Sequence, residues 1–282
     1  MEKINIGIDI GGTYTKISVL NLNKKEIALS NKFLTNSQNK KEEIINNLIF
    51  EIKKIKKKFK SSIVNKITIT VPGLIDKNQK IINLPNIKNL NNTDLKKILK
   101  EEFKENKVSI IKDSHSIFYF IKNNIKANKN FAIITLGTSI ACSIIINSKL
   151  YTGKGNSGEI AHNYFSNKQL EELVSNKTIL EEIKKCDNKI TKIEDLNELK
   201  EIPQTIKKIF EKYGKHIGIA LANLNNTLDL DEIFLTGGML YNQELFLKSL
   251  KQEFEKKSFV PICNIEILES DSFIGSIGAC FK

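Results

Sequence analysis

The chain has 282 residues, 40% of them hydrophobic and 27% charged, with a formal net charge of +12. That length suits two modest domains, each able to bury its own core, and the composition is ordinary for a soluble globular enzyme. All 44 basic residues are lysines, spread along the chain, which speaks against phosphate or base recognition by arginine forks and for AT-rich codon usage and solvated faces.

The opening segment 4–10 is apolar with short-period alternation and ends at Gly11-Gly12, so it reads as a strand entering a tight turn. Strands at 16–21 and 26–31 complete an antiparallel meander. Ile44, Ile45, Leu48, Ile49, Ile52, Ile55 and Phe59 follow helical spacing, which predicts one amphipathic helix over 41–60 with Lys53, Lys54 and Lys56 to Lys58 on its exterior. A buried strand at 66–71 closes at Pro72-Gly73. A helix at 95–103 and a short strand at 108–112 lead into Asp113.

The pattern then repeats in outline. Strands at 131–136 and 140–147 flank the turn Gly137-Thr138, and a shorter strand is expected at 149–151. Residues 168–230 are expected to be mainly helical, with a polar loop at 186–203. A strand at 232–236 ends at Gly237-Gly238, a helix spans 241–256, a last strand 264–268, and a short helix closes the chain at 272–281. Strands interleaved with helices indicate an α/β protein.

No basic-then-apolar leader and no run of about 18 apolar residues occurs, so a cytoplasmic protein without a membrane partner is expected. Cys142, Cys186, Cys263 and Cys280 form no CxxC pair and read as small buried hydrophobes. A structural zinc site is not expected. His115 and His216 read as histidines held by structural hydrogen bonds.

The strongest local signal is Asp9-Ile10-Gly11-Gly12-Thr13-Tyr14-Thr15-Lys16. Glycines at a strand corner let backbone N–H groups approach phosphate oxygens. Thr13 offers a hydroxyl, Lys16 a positive charge, and Asp9 a carboxylate able to hold Mg²⁺ through water. A type I′ hairpin with glycines for geometry alone would explain Gly11-Gly12 but not the polar residues around them. Gly137-Thr138 stands at the matching place in the second half, and Gly237-Gly238 ends a strand ahead of a helix, a setting suited to a nucleotide. On the acceptor side, Asp113 follows an apolar strand and could take the proton of an attacking hydroxyl. Glu159 and His162 stand three apart and share one side if the backbone is helical.

On these residues the chain resembles the ROK family of sugar kinases and repressors over nearly its whole length. Asp9 to Lys16 is similar to the family's DxGGTxxK phosphate motif, Val71-Pro72-Gly73 to its VPG turn and Asn83-Leu84-Pro85 to its NLP segment. Lys112-Asp113 sits where the family has Asn-Asp, whose aspartate is the catalytic base. Leu136-Gly137-Thr138 resembles the second phosphate motif, Gly158-Glu159-Ile160-Ala161-His162 the GEIGH motif, and Leu170-Glu171 with Ser175 the LExxxS stretch. Gly237 and Gly238 fall at the adenosine site.

The resemblance implies a two-lobed actin/hexokinase-like (ribonuclease H-like) ATPase fold of the α/β class, with a nucleotide and sugar cleft between lobes. A smaller lobe of residues 1–112, joined by a C-terminal helix at 270–282, is expected beside a larger lobe of residues 113–269. Asp113 is the implied base. Asp9, Gly11, Gly12, Thr13, Lys16, Thr138, Gly237 and Gly238 are the implied ATP and Mg²⁺ residues. Gly73, Asn83, Lys112, Asp113, Glu159, His162 and Glu171 are those implied for sugar.

Three departures stand out. Zinc-containing members carry a cysteine cluster between the GEIGH histidine and the LE glutamate, whereas residues 163–170 hold none. That implies sugar binding by His162 without zinc. Lys112 replaces an asparagine, and Ser139, Ala141 and Ser143 stand where glycines are usual, so their side chains could narrow the nucleotide pocket. The lost zinc cluster resembles bacterial N-acetylmannosamine kinases of sialic acid breakdown. This makes N-acetylmannosamine 6-phosphate the expected product, with glucose, N-acetylglucosamine, allose and fructose left open as substrates. A homodimer is expected. Family repressors carry a helix-turn-helix domain ahead of the kinase-like part, and with the phosphate motif at residue 9 a repressor is not the expectation. A degenerate, non-catalytic sugar-binding protein is the remaining alternative.

Overall fold

The computed structural model describes residues 1–268 and 272–282. Packing divides them into two compact units. One holds Met1–Ala127, Thr152–Ser157 and the described part of Ser270–Lys282; the other holds Asn128–Tyr151 and the described part of Gly158–Glu269. The helix that opens at Asp113 thus packs with the first unit, beyond the boundary expected at 112–113. The second expected boundary, at 269–270, lies outside the described residues.

The first unit is built on β1 (Lys3–Ile10), β2 (Tyr14–Asn21), β3 (Glu26–Leu34), α1 (Lys41–Lys58), β4 (Ile63–Val71), β5 (Leu74–Ile75), β6 (Ile81–Asn83), α2 (Leu95–Glu102), β7 (Lys107–Lys112) and α3 (Asp113–Asn124). Its sheet runs β3-β2-β1-β4-β7, antiparallel through the opening meander and parallel across β1, β4 and β7. Ile4, Ile6, Ile8 and Ile10 share one face of β1 and are buried with Ile44, Ile45, Leu48, Ile52 and Ile55 of α1 and Leu95 and Leu99 of α2. Each such side chain contributes about 1.5–3 kcal/mol on leaving water. The opposite face of β1 is covered by the closing helix Ile274–Phe281. Asn5 donates its Nδ2 to the Cys280 carbonyl at 2.8 Å, and a side chain at Gly7 would stand 2.0 Å from the Ser276 carbonyl oxygen. β1 is therefore sandwiched, which is why an asparagine and a glycine sit in its hydrophobic run.

α1 has Glu42 and Glu43 in its first turn and Lys56 to Lys58 in its last, matching the helix dipole at both ends. It stops at Lys58, close to its predicted end. Lys53, Lys54, Lys57 and Lys58 are exposed as expected, while Lys56 is half-buried, bonds Asn106 Oδ1 at 2.9 Å and lies over the Phe103 ring.

The second unit holds β8 (Phe131–Leu136), β9 (Ile140–Ile146), β10 (Lys149–Tyr151), β11 (Tyr164–Phe165), β12 (Lys168–Gln169), α4 (Leu170–Val174), α5 (Asn176–Cys186), α6 (Gln204–Leu228), β13 (Glu232–Thr236), α7 (Leu247–Lys257) and β14 (Asn264–Ile267). Its sheet, β10-β9-β8-β13-β14, repeats the scheme of the first: an antiparallel meander continued by parallel strands. The repeat read from the sequence is present at the level of topology.

Several expectations need correction. The helix predicted over 241–256 is split: Gly238–Leu245 is 3-10 helix with a non-helical Asn242 inside, and α7 begins at Leu247. Gly237 turns the chain with φ 109°, which starts the tight helix early. The hairpins β5-β6 and β11-β12 and the helix α3 are additions to the sequence reading. Cys186 is exposed, unlike Cys142, Cys263 and Cys280, which are buried. Burial pushes the Cys263 thiol up to about 11 and the Cys280 thiol up to about 12. No helix among the described residues is long and apolar enough to cross a membrane.

Candidate functional site

In the first unit the candidate residues gather at one edge of the sheet. β1, β4 and β7 are parallel, so their carboxyl ends lie together. Asp9 is level with Thr70, and Thr70 with Ile111, so Asp113 follows two residues beyond that row. The strand spacing puts β7 about 10 Å from β1. Asp113 and the Asp9–Lys16 turn therefore share the carboxyl edge on which ligands bind in open α/β sheets.

Asp9 is held from several sides. Thr70 donates its hydroxyl to Asp9 Oδ1 at 2.6 Å, Lys16 is its cross-strand partner, and a side chain at Gly275 would stand 2.7 Å from Oδ2. Burial pushes the Asp9 carboxyl above the usual aspartate range, and the Thr70 hydrogen bond and the Lys16 charge pull partly back. A cation beside this carboxylate would offset the cost of its ionisation, so the residue fits a hydrated Mg²⁺. Lys16 also donates from Nζ to the Ser272 carbonyl at 2.6 Å, ahead of the closing helix.

The Gly11-Gly12 turn is not the type I′ hairpin weighed from sequence, because neither glycine has positive φ. The glycines are needed for space instead. A side chain at Gly11 would stand 2.8 Å from the Tyr14 carbonyl oxygen, and one at Gly12 3.1 Å from Asn86 Cβ. The Gly11 N–H bonds Tyr14 O at 3.0 Å, and Thr35 closes the turn through Gly11 O and Thr13 O. Thr13 itself is exposed.

Gly73 has φ 143° and packs so closely on the Asn83 carbonyl that a Cβ would lie 2.2 Å from it. The VPG-like turn and the NLP-like segment are thus packed together. Asn83 Oδ1 accepts from Asn91, which also caps Leu84 N–H. Asp113 is the first residue of α3, half-buried, with Oδ1 accepting the Ser114 N–H at 2.7 Å. A carboxylate at a helix N-terminus faces the positive end of the dipole.

Lys112 is buried rather than solvated, and its charge reaches His115. Burial first, then Lys112 and Lys282, pushes the His115 imidazole down to about 4. The structural hydrogen bonds expected for His115 and His216 are missing at Nε2, which is buried without a partner in both.

In the second unit, Thr138 is exposed in a turn closed by Gly137 N–H to Ser139 O at 3.1 Å. β8 and β13 are parallel neighbours, and a Cβ on Gly237 would stand 2.3 Å from the Leu136 carbonyl oxygen. Gly237 and the Gly137-Thr138 turn are thus adjacent, while nothing lies within 4 Å of the Cβ position of Gly238. Of the residues replacing glycines, Ser139 is exposed in the turn, Ala141 is half-buried, and Ser143 is buried in β9 with an unpaired hydroxyl.

Gly158 has φ 82° and packs on the Cys142 carbonyl, pinning the following segment to β9. Ile160–His162 is one turn of 3-10 helix closed by His162 N–H to Glu159 O at 3.2 Å, with Glu159 itself at the N-cap, its ψ of 52° outside the helical range, so only part of the 159–162 segment is helical. His162 Nδ1 lies 3.1 Å from Gln169 Oε1, and Leu170 N–H bonds Asn163 O at 2.9 Å, which brings Glu171 of α4 beside the same turn. Among the described residues no group of three or more His, Cys, Asp or Glu could hold a metal ion.

Three residues that bear on these sites escaped the sequence reading: Thr70, Asn86 and Gln169. Thr70 left a signal, since with Thr68 it is a polar residue among the apolar residues ending β4, two positions before Pro72. Asn86 and Gln169 left none, because their partners depend on how distant loops meet.

The family model described as "ROK family" matches residues 5–280. The xylose repressor of Bacillus spizizenii is 30% identical over 223 residues, covering 72% of this chain and 56% of that protein. The chain thus spans just over half the length of the curated relative. A ROK glucokinase from Streptomyces griseus, solved with glucose and AMPPNP, superposes with a TM-score of 0.80 at 19% identity over 98% of both chains. A Listeria monocytogenes protein provisionally named an N-acetylmannosamine kinase superposes with a TM-score of 0.80 at 22% identity, covering 100% of this chain and 98% of that one. The fold is therefore the actin/hexokinase-like α/β class expected from the sequence.

Proposed function

We propose that this chain, which belongs to the ROK family, is a cytoplasmic ATP-dependent sugar kinase acting on the 6-hydroxyl of a hexose or N-acetylhexosamine. The observation that carries this reading is the carboxyl edge of the first sheet, where Asp9 anchored by Thr70, the Gly11-Gly12 turn and Asp113 lie together. Asp113 accepts the proton of the attacking hydroxyl. Asp9 would hold Mg²⁺ through water. Backbone N–H groups of the Gly11–Thr13 turn and the Lys16 charge receive phosphate oxygens. Bound Mg²⁺·ATP supplies the phosphoryl group and neutralises charge on its oxygens.

In the second unit, Thr138, Gly237 and Gly238 are assigned to the nucleotide, and Glu159, His162 and Glu171 to sugar hydroxyls. Gly73, Asn83 and Lys112 line the sugar side of the first unit. N-acetylmannosamine is the substrate we favour, supported by the absence of cysteine from residues 163–170 and by the name of the Listeria neighbour. No step is assigned to zinc. Coupled ADP release, run over a panel of hexoses and N-acetylhexosamines with Mg²⁺ and with a zinc chelator, tests the reading. Sugar-dependent release that survives the chelator supports it, and preference for another hexose by about tenfold reassigns the substrate.

The likeness to xylose repressors favours a second reading, in which the chain senses a sugar without phosphorylating it. Saturable sugar binding without sugar-dependent ADP release would select that alternative.

A further inference from the structure

The imidazole of His162 is held by a neighbour that no motif marks. The segment after the 3-10 turn folds back as the β11-β12 hairpin, with Tyr164 paired to Gln169 and Phe165 to Lys168. Ser166, with φ 57°, makes the turn. Leu170 N–H bonds Asn163 O at 2.9 Å, closing the base of the hairpin next to His162. Gln169 is fixed at three points. Its N–H is capped by Glu172 Oε2 at 2.7 Å, its Nε2 lies 3.4 Å from the Tyr164 hydroxyl, and its Oε1 lies 3.1 Å from His162 Nδ1. A neutral imidazole has one donor nitrogen and one acceptor, and the partner of one nitrogen sets the role of the other.

We propose that Gln169 is a positioning residue of the sugar site: it accepts from His162 Nδ1–H, locks that tautomer and leaves Nε2 as an acceptor for a sugar hydroxyl. This inference rests on the sugar-kinase reading for the identity of the ligand, but not for the lock itself. The hairpin and one hydrogen bond thereby hold the imidazole as a metal crosslink could, with no cysteine between 163 and 170. An acceptor-only Nε2 selects a donor hydroxyl at that position. Gln169→Leu removes the acceptor while keeping similar volume, and Gln169→Glu keeps it while adding charge.

The protein has three histidines, so the ring nitrogens can be assigned by two-bond ¹⁵N–¹H correlation spectra of the full chain, with His162→Asn identifying the third set. Above the imidazole's titration, Nδ1 of His162 should be protonated and Nε2 bare in the wild type and in Gln169→Glu. Gln169→Leu should shift the ring toward the Nε2–H form. In the kinase assay Gln169→Leu should raise the sugar KM about tenfold with kcat within about twofold, the pattern of lost uniform binding. Gln169→Glu keeps an acceptor oxygen opposite Nδ1 and should restore KM to within about twofold of the wild type. A protonated Nε2 in the wild type, or an unchanged KM in Gln169→Leu, overturns the proposal. A wild-type chain that phosphorylates no sugar counts against the kinase reading, and the spectra still decide the lock.

Discussion

Gly158→Ala perturbs a backbone position that packs the start of the Glu159–His162 turn against the second sheet. Its φ of 82° is left-handed, and an added Cβ would stand 2.2 Å from the Cys142 carbonyl oxygen and 3.0 Å from the carbonyl carbon. The conformation costs an L-residue about 1–2 kcal/mol. The overlap involves backbone of a central strand pair, which yields little, and overpacking of this kind costs about 1–3 kcal/mol. Together they give about 2–5 kcal/mol, a large part of the roughly 5–15 kcal/mol that holds a native protein together. At about 2–4 °C per kcal/mol for units of this size, the melting temperature should fall by roughly 4–20 °C. Relief by a shift of the 3-10 turn would also displace Glu159 and His162, and a misplacement of about 1 Å can cost a hundredfold in rate. Gly238→Ala is the control for stability, since nothing lies within 4 Å of its Cβ and its φ is not left-handed. It should stay within about 0.5 kcal/mol of wild type. Calorimetry on both variants, with the sugar KM alongside, checks this. A Gly158→Ala protein melting within about a degree of wild type would refute the steric reasoning.

Two further outcomes follow from the titrating groups. Thr70→Val removes the hydroxyl that stabilises ionised Asp9, so the Asp9 carboxyl should titrate at still higher pH by ¹³C NMR. The KM for Mg²⁺·ATP should rise about tenfold, as expected for about 1.4 kcal/mol from a hydrogen bond to a charged group. His115 is buried as the neutral imidazole, with its pKa down from 6.5 to about 4. The unfolded chain binds a proton that the fold resists, so this stability is fully present above pH 6.5 and is lost as pH falls through that window. Urea titrations should show a loss of about 2 kcal/mol between pH 7 and pH 5 that His115→Gln largely removes. A variant with the same acid slope as wild type would refute it.

The legible parts of the fold are those set by local pattern. The alternation of Ile4, Ile6, Ile8 and Ile10 marks a strand, the spacing of α1 marks its buried face, and Asp9 to Lys16 marks the turn. α3 was hidden because it opens with Asp113, Ser114 and Ser116, residues that favour caps over helix interiors. Its buried Ile117, Phe118 and Ile121 carry the helix by packing instead. The break at Asn242 follows from the turn at Gly237, whose close approach to Leu136 belongs to the sheet and not to the local sequence. Thr70 meets Asp9 across 61 residues. Gln169 meets His162 only through the register of a six-residue hairpin. Long-range partners of this kind leave no periodicity to read.

The central claim is that Asp113 removes a proton from a sugar hydroxyl while the turn after Asp9 holds the phosphates of ATP. The most direct measurement is ³¹P NMR of the chain mixed with ATP, Mg²⁺ and N-acetylmannosamine, run in parallel with Asp113→Asn. A sugar 6-phosphate resonance should grow as the γ-phosphate signal falls, with loss of at least about a hundredfold in rate for the variant. Unchanged transfer by Asp113→Asn, or no sugar phosphate from any hexose tried, would contradict it.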